Sequence, residues 1–231
     1  MKAARQSAER IPPPADPTRA KLLEAAGRVF ADHGYYSATI REICMRAGAN
    51  VAAVNYHFRD KIGLYTEVLE QSVRAAQIEA VHNALDSDLP PEQALRAAIR
   101  ARLRSARSGN LPDWHVRIMA HELARPTPAM SRIINKVSRP VYERLLELIG
   151  EIIHLPPDHE KTRLCTHSVM GQIFLYVQAG PVLARFWPQL KMTPAQLDRI
   201  ADHIADFSLA YLREVRSAQE AMPRMALARR R

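Results

Sequence analysis

Residues 39–61 read TIREICMRAGANVAAVNYHFRDK, and this stretch decides the fold. Thr39 stands three residues before Glu42. In that T-x-x-E spacing each side chain can satisfy a free backbone N–H at a helix start. Ile40, Ile43 and Ala47 then recur at helical spacing and predict an inward stripe. Gly48 and Ala49 break that helix, Asn50 is a good N-cap for a second one over Val51 to Phe58, and Asp60 caps another. Two short helices around a tight turn at Gly48 read as a helix-turn-helix. Val51, Val54 and Phe58 are spaced i, i+3 and i+7, so they share a face expected to pack on the preceding helices. Ala52, Ala53, Asn55, Tyr56 and His57 are left outward or flanking.

That outward face suits a major groove. Asn can pair bidentately with adenine, and small Ala side chains let the backbone approach thymine methyls. Tyr56 and His57 can bond phosphates or bases. Lys61 starts the next helix, where its charge and the free N–H groups suit a phosphate. Arg41 lies on the outward face of the preceding helix and can reach a phosphate or a base edge. Thr39, Asn50 and Val51 complete the expected DNA contact surface. No Lys or Arg falls between Val51 and Phe58, so base reading is expected to rest on Asn55, Arg41 and apolar contacts.

Upstream, Asp16 and Pro17 form an N-cap and a first helical residue, and Leu22, Ala26, Val29 and Phe30 follow at helical spacing up to Gly34. Residues 1–16 are polar and basic and contain Pro12, Pro13 and Pro14, which predicts a mobile arm that adds non-specific DNA affinity. Downstream, a fourth helix runs from Asp60 through Leu64, Val68 and Val73 towards Leu85. Prolines then separate apolar-periodic segments, each long enough for a helix and none with sustained strand alternation. Thr193, Pro194 and Gln196 open a last helix reaching Tyr211 and Leu212, followed by a basic tail over 216–231 that ends in Arg229, Arg230 and Arg231. The expected class is therefore all-α. A three-helix DNA-binding domain over 17–65 precedes a helical effector-binding and dimerisation domain over 66–215.

Composition agrees. The 231 residues are 47% hydrophobic, enough for a substantial core. A net charge of +9 and a pI near 9.9 suit a polyanionic partner such as nucleic acid. Cys44 and Cys165 match no metal or redox spacing. There is no run of about 20 apolar residues and no secretory leader, so a cytoplasmic protein with no membrane partner is expected.

The quoted run resembles the TetR family of bacterial regulators. The matching positions are Thr39 to Ile43, then Ala47 to Ala49, then Val54 to Lys61 with Leu64 and Tyr65; Leu22 to Ala26, Phe30, Gly34 and Tyr35 fit that family's first helix. Where many members carry Tyr, this chain has Asn55. The C-terminal half is similar to the CecR-like branch at Met119 to Ala129, at Arg139 and Pro140, and at Ser168 to Phe174. The resemblance implies an all-α homodimer that represses from a near-palindromic operator and is released by a small-molecule effector.

From the residues themselves, two segments suit a dimer interface. Residues 161–179 carry Leu164, Ser168, Gly171, Leu175 and Gln178, and residues 194–212 carry Leu197, Ile200, Ala201, Ile204, Phe207, Leu209 and Tyr211. Four such helices from two copies would form a bundle. An effector pocket is expected among the middle helices, where Trp114, Arg117, Ile118, His121, Glu122, Phe174, Tyr176 and Gln178 mix aromatic and polar character. No metal and no cofactor is expected. His115 and His121 lie on different helix faces, His154 and His159 straddle two prolines, and no H-E-x-x-H, glycine-rich phosphate loop or readable nucleophile–base pair is present. The chain is thus expected not to be an enzyme. The alternative is a ligand-binding helical protein or enzyme that kept the fold without reading an operator.

Overall fold

The computed structural model describes residues 16–105 and 114–228, and every regular element among them is helical. The arm before Asp16 and the three terminal arginines lie outside the described residues. Helix α1 is Pro17–Ser37, α2 is Ile40–Ala47, α3 is Val51–Phe58 and α4 is Lys61–Leu85. They are followed by α5 (Pro91–Ser105), α6 (Trp114–Ala124) and α7 (Pro128–Ile133). A π-helical turn, Ile134–Ser138, leads into α8 (Arg139–Ile153), α9 (Glu160–Gln178), α10 (Gly180–Phe186) and α11 (Pro194–Ala228).

The expected caps close the helices. Asp16 Oδ1 accepts from Thr18 N at 2.9 Å, Thr39 Oγ1 from Glu42 N at 3.2 Å, Asn50 Oδ1 from Ala53 N at 2.9 Å and Asp60 Oδ1 from Gly63 N at 2.7 Å. The Thr39 box is only half used, because Glu42 turns its carboxylate to Arg46 at 2.9 Å instead of back to the cap. At the start of α11 the box is reciprocal between Thr193 and Gln196. Gly48 sits at φ 62 between α2 and α3, the left-handed conformation that sharply turns the chain there. Helix α11 runs as far as Ala228, well past Leu212, so much of the segment read as a tail is helical.

The apolar residues form two cores, and α4 belongs to both. The first gathers Leu22, Val29 and Phe30 of α1, Ile43 of α2, Val54 and Phe58 of α3, and Leu64, Val68 and Leu69 of α4. It is completed from beyond the three-helix unit by Trp114, Ile118, Ala129, Ile133 and Val137. The Trp114 ring lies flat over Gly27, where a Cβ would stand 2.5 Å from the indole. The second core takes Val81 and Leu85 from the far end of α4, with α5, α8, α9 and α11 around them. Each fully buried Leu, Ile or Phe contributes roughly 1.5–3 kcal/mol. On the surface of this half, Arg96, Arg100 and Arg104 of α5 pair with Asp198, Asp202 and Asp206 of α11, and Arg213 pairs with Glu92.

Candidate nucleic-acid interface and effector cavity

Helix α3 divides as its spacing requires, with one exception. Val54 and Phe58 are buried, while Ala52, Asn55 and Tyr56 face outward, Tyr56 at 83% exposure. Val51 is 46% exposed, so it does not pack on the preceding helices as its spacing suggested and instead opens the outward face. It is the first residue of α3. Ala53 is half-buried at the edge of the first core. Thr39, Arg41 and Asn50 are exposed beside α3, two of them occupied as caps.

His57 and Lys61 are placed differently from a simple outward reading. The His57 ring is largely buried, with Nε2 3.5 Å from Asp16 Oδ2, which sets it at the N-terminus of α1 rather than on the reading face. Lys61 folds back, its Nζ 4.7 Å from the Tyr35 ring centroid and 3.4 Å from the Tyr36 carbonyl oxygen that accepts from it. Burial pushes its ammonium below the ordinary lysine range. Tyr36, half exposed, and Arg59, at φ 72 after α3, flank the same surface. Neither was singled out from the sequence, although Arg59 is the basic residue directly after α3.

The eight residues expected to line an effector pocket do not converge. Trp114 and Ile118 are filled into the first core, because α6 packs on α1. Arg117 lies on the surface, donating to Asp32 at 2.8 Å. His121 Nε2 is 3.1 Å from the Ala31 carbonyl oxygen. Glu122 is buried and fully engaged, accepting from Tyr65 Oη at 2.6 Å, Thr127 N at 2.9 Å and Thr127 Oγ1 at 2.8 Å. Tyr176 packs partly buried against the second core and Gln178 lies at the end of α9. His121 and Glu122 border a small cavity of about 150 Å3 beside Tyr35 and Tyr65, and Phe174 faces a different, larger one.

That cavity, of about 420 Å3, opens between α4, α5, the π-helical turn, α8 and α9. Leu95, Ile99, Val141 and Ile173 form much of its wall, with Arg102, Ser138, Arg139 and Tyr142 as polar members. The sequence held a signal for Arg102. It follows Leu95, Ala98 and Ile99 at helical spacing, so a charged residue stands on the inward stripe of α5.

Residues 91–212 match the family described as the C-terminal domain of the HTH-type transcriptional dual regulator CecR, and residues 22–68 match the tetR family of bacterial regulatory proteins. The chain belongs to the TetR family. It is 40% identical over 88 residues to the HTH-type transcriptional activator FasR of Mycolicibacterium smegmatis, a match covering 38% of this chain and 40% of the relative. It is 26% identical over 166 residues to the HTH-type transcriptional dual regulator CecR of Shigella flexneri, covering 68% of this chain and 74% of the relative. A TetR-family transcriptional regulator from Streptomyces coelicolor superposes with a TM-score of 0.61 at 20% identity, covering 88% of this chain and 92% of that one, which shows the shared fold. Among the described residues no helix is long and apolar enough to cross a membrane, and no cluster of His, Cys, Asp and Glu could hold a metal ion.

In this TetR-family chain the segment over 128–139 separates the cavity from the DNA-binding helices. Ala129, Ile133 and Val137 enter the first core, while Ile134, Ser138 and Arg139 line the cavity. The segment is anchored at both ends. Lys136 pairs with Glu70 of α4 at 3.0 Å, and Thr127, at its start, is held by Glu122. Burial, reinforced by the Glu122 carboxylate, raises the Tyr65 phenol above its usual range, so it remains a donor at any physiological pH. Replacing Glu122 with Ala strands three buried donors, each costing about 1–3 kcal/mol. Glu122→Ala is expected to lower the melting temperature clearly, and Glu122→Gln less; a melt of Glu122→Ala indistinguishable from the native chain would remove the anchor role.

Proposed function

We propose that this chain is a transcriptional repressor that grips a palindromic operator as a homodimer and lets go when a small effector fills the cavity between α5, α8 and α9. The observation that carries the reading is the divided face of α3, with Val54 and Phe58 buried and Ala52, Asn55 and Tyr56 presented outward from a rigid core. Asn55 reads a base edge, the small face around Ala52 admits the backbone to the groove, and Tyr56, Arg41 and Lys61 hold phosphates or flanking edges. His57 reaches a phosphate only by leaving Asp16, whose carboxylate caps the first N–H groups of α1. Lys61 must first swing away from Tyr35 to do so.

Dimerisation is supported by unpartnered apolar side chains on neighbouring helices. Leu164 and Leu175 of α9 and Phe207 and Tyr211 of α11 are each about half exposed or more, and Gln172 donates to Ser208 at 3.1 Å between the two stripes. Of the other α11 residues proposed for this face, Leu197, Ile200, Ala201, Ile204 and Leu209 belong to the chain's own second core. A two-fold dimer requires an operator with matching symmetry. Release is supported by the segment over 128–139, because a ligand pressing on Ile134 and Ser138 pushes directly on residues that complete the first core. The relatives named activator and dual regulator make the sign of regulation a matter for measurement. Deletion of the gene raises expression from the operator-bearing promoter if the chain represses.

Selection from random DNA is expected to enrich an inverted repeat bound with steep salt dependence. Asn55→Ala then lowers affinity for that site by about 1–3 kcal/mol, a factor of about five to 150, with little change on unrelated DNA. Lys61→Ala weakens both about equally. Equal losses for the two variants on both DNAs would overturn these roles, and a selection that enriches nothing would favour a ligand-binding protein without operator recognition.

A further inference from the structure

We propose that Arg125, which lies outside the DNA-binding helices, is a further operator contact that holds a backbone phosphate beside Tyr36 and Lys61. The inference rests on the operator reading above and adds to it a residue from the end of α6.

Helix α3 carries no Lys or Arg, so phosphates must be held by cations at its flanks. Several basic residues around the DNA-binding helices are already matched by carboxylates: Arg19 by Glu67, Arg28 by Glu24, Arg46 by Glu42 and Arg117 by Asp32. Arg125 is exposed directly after α6, and among the described residues no carboxylate pairs with it. It stacks instead on Tyr36, its guanidinium carbon 3.9 Å from the ring centroid. Such a stack uses the face of the guanidinium and leaves its in-plane N–H donors available to an anion. It also holds a long side chain in place, which lowers the ordering cost of a new contact.

The stack stands beside the helix starts expected on the DNA. Tyr36 is three residues before Thr39, the N-cap of α2, and its carbonyl oxygen accepts from Lys61 Nζ at 3.4 Å. Its ring meets Tyr35 edge-on with centroids 5.3 Å apart, and Lys61 Nζ is 4.7 Å from the Tyr35 centroid. One row thus runs from the cation at the end of α6, across two tyrosines, to the cation at the start of α4. Positive charge beside the N-termini of α2 and α4 suits a polyanionic backbone. Arg125 also stands two residues before Thr127, which Glu122 holds at 2.8 Å. A shift of the segment that borders the cavity therefore withdraws this grip without any change in α3.

Binding of the full chain across a salt series, to the inverted repeat enriched from random DNA and to an unrelated duplex of equal length, tests the inference. Arg125→Gln should weaken both by roughly tenfold or more at low salt. A dimer loses the contact twice, so the slope of log K against log salt should flatten by about two. Arg125→Lys keeps the charge and should keep the slope. Arg117→Gln removes the same charge from α6 itself, where Asp32 already matches it, and should leave the slope as it is. The melting curve of Arg125→Gln should match the native one, because the side chain is exposed. An unchanged slope for Arg125→Gln, even with weaker binding, overturns the proposal and leaves Arg125 a packing role on Tyr36. Equal flattening by Arg117→Gln, or a loss confined to the inverted repeat, overturns it as well. A native chain without salt-dependent DNA binding removes the operator reading and this contact together. A native chain that binds the repeat while Arg125→Gln binds it identically removes this contact alone.

Discussion

Trp114→Ala should destabilise the chain by about 3–5 kcal/mol, the usual cost of emptying a buried aromatic site. For a fold of this size that lowers the melting temperature by roughly 6–20 °C, read by circular dichroism. The indole is buried among α1 and α4 side chains and lies over Gly27, so its loss opens a cavity inside the core that holds α3. Gly27→Ala probes the same contact from the other side. A Cβ 2.5 Å from the ring overpacks the site, and about 1–3 kcal/mol of stability is lost. In the Trp114→Ala background the same change meets no ring. It should then be neutral or stabilising, because Ala favours helix over Gly by up to about 1 kcal/mol. A Gly27→Ala cost that is equal in both backgrounds would show that the ring is not what the glycine accommodates.

The second large effect concerns the proposed dimer. Placing Glu at both Leu175 and Phe207 buries four like charges in the interface of a pair, while each single chain keeps them in water. The double variant should run as a monomer in sedimentation or light scattering with an unchanged helical spectrum. Its operator affinity should fall by about 100- to 10,000-fold, the advantage that a linked second half-site confers. A variant that stays dimeric would place the interface elsewhere. A monomer with native operator affinity would contradict two-fold recognition.

The two kinds of site were not equally legible in the sequence. The helix-turn-helix was readable because its information is local: Thr39, Asn50 and Asp60 cap helices within three residues of themselves, and Gly48 turns the chain where it stands. His57 and Lys61 escaped a purely local reading, since Asp16 and Tyr35, which hold them, come from α1. The cavity was harder still. Trp114 and Glu122 have the mixed character of a binding site, yet they were drawn into the junction of α6 with α1 and α4, and periodicity within α6 carries no record of which helix it meets. Arg102, a charge on the apolar stripe of α5, lines the cavity but was not among the residues expected to do so. Net charge was informative only in part. Arginines of α5 and α11 are matched against Asp198, Asp202, Asp206 and Glu92, so these basic residues contribute little field to a distant phosphate.

The closing of the first core by Trp114, Ile118, Ala129, Ile133 and Val137 has a consequence for how such a protein can be taken apart or rebuilt. A cut after α4 would sever the reading unit from five of the side chains that seal it. Exchange of DNA-binding heads between relatives therefore succeeds only if α6 and α7 travel with the head or are redesigned to suit it. For the same reason the two halves cannot diverge independently: each substitution on the inner face of α1 restricts what the sensing half can become.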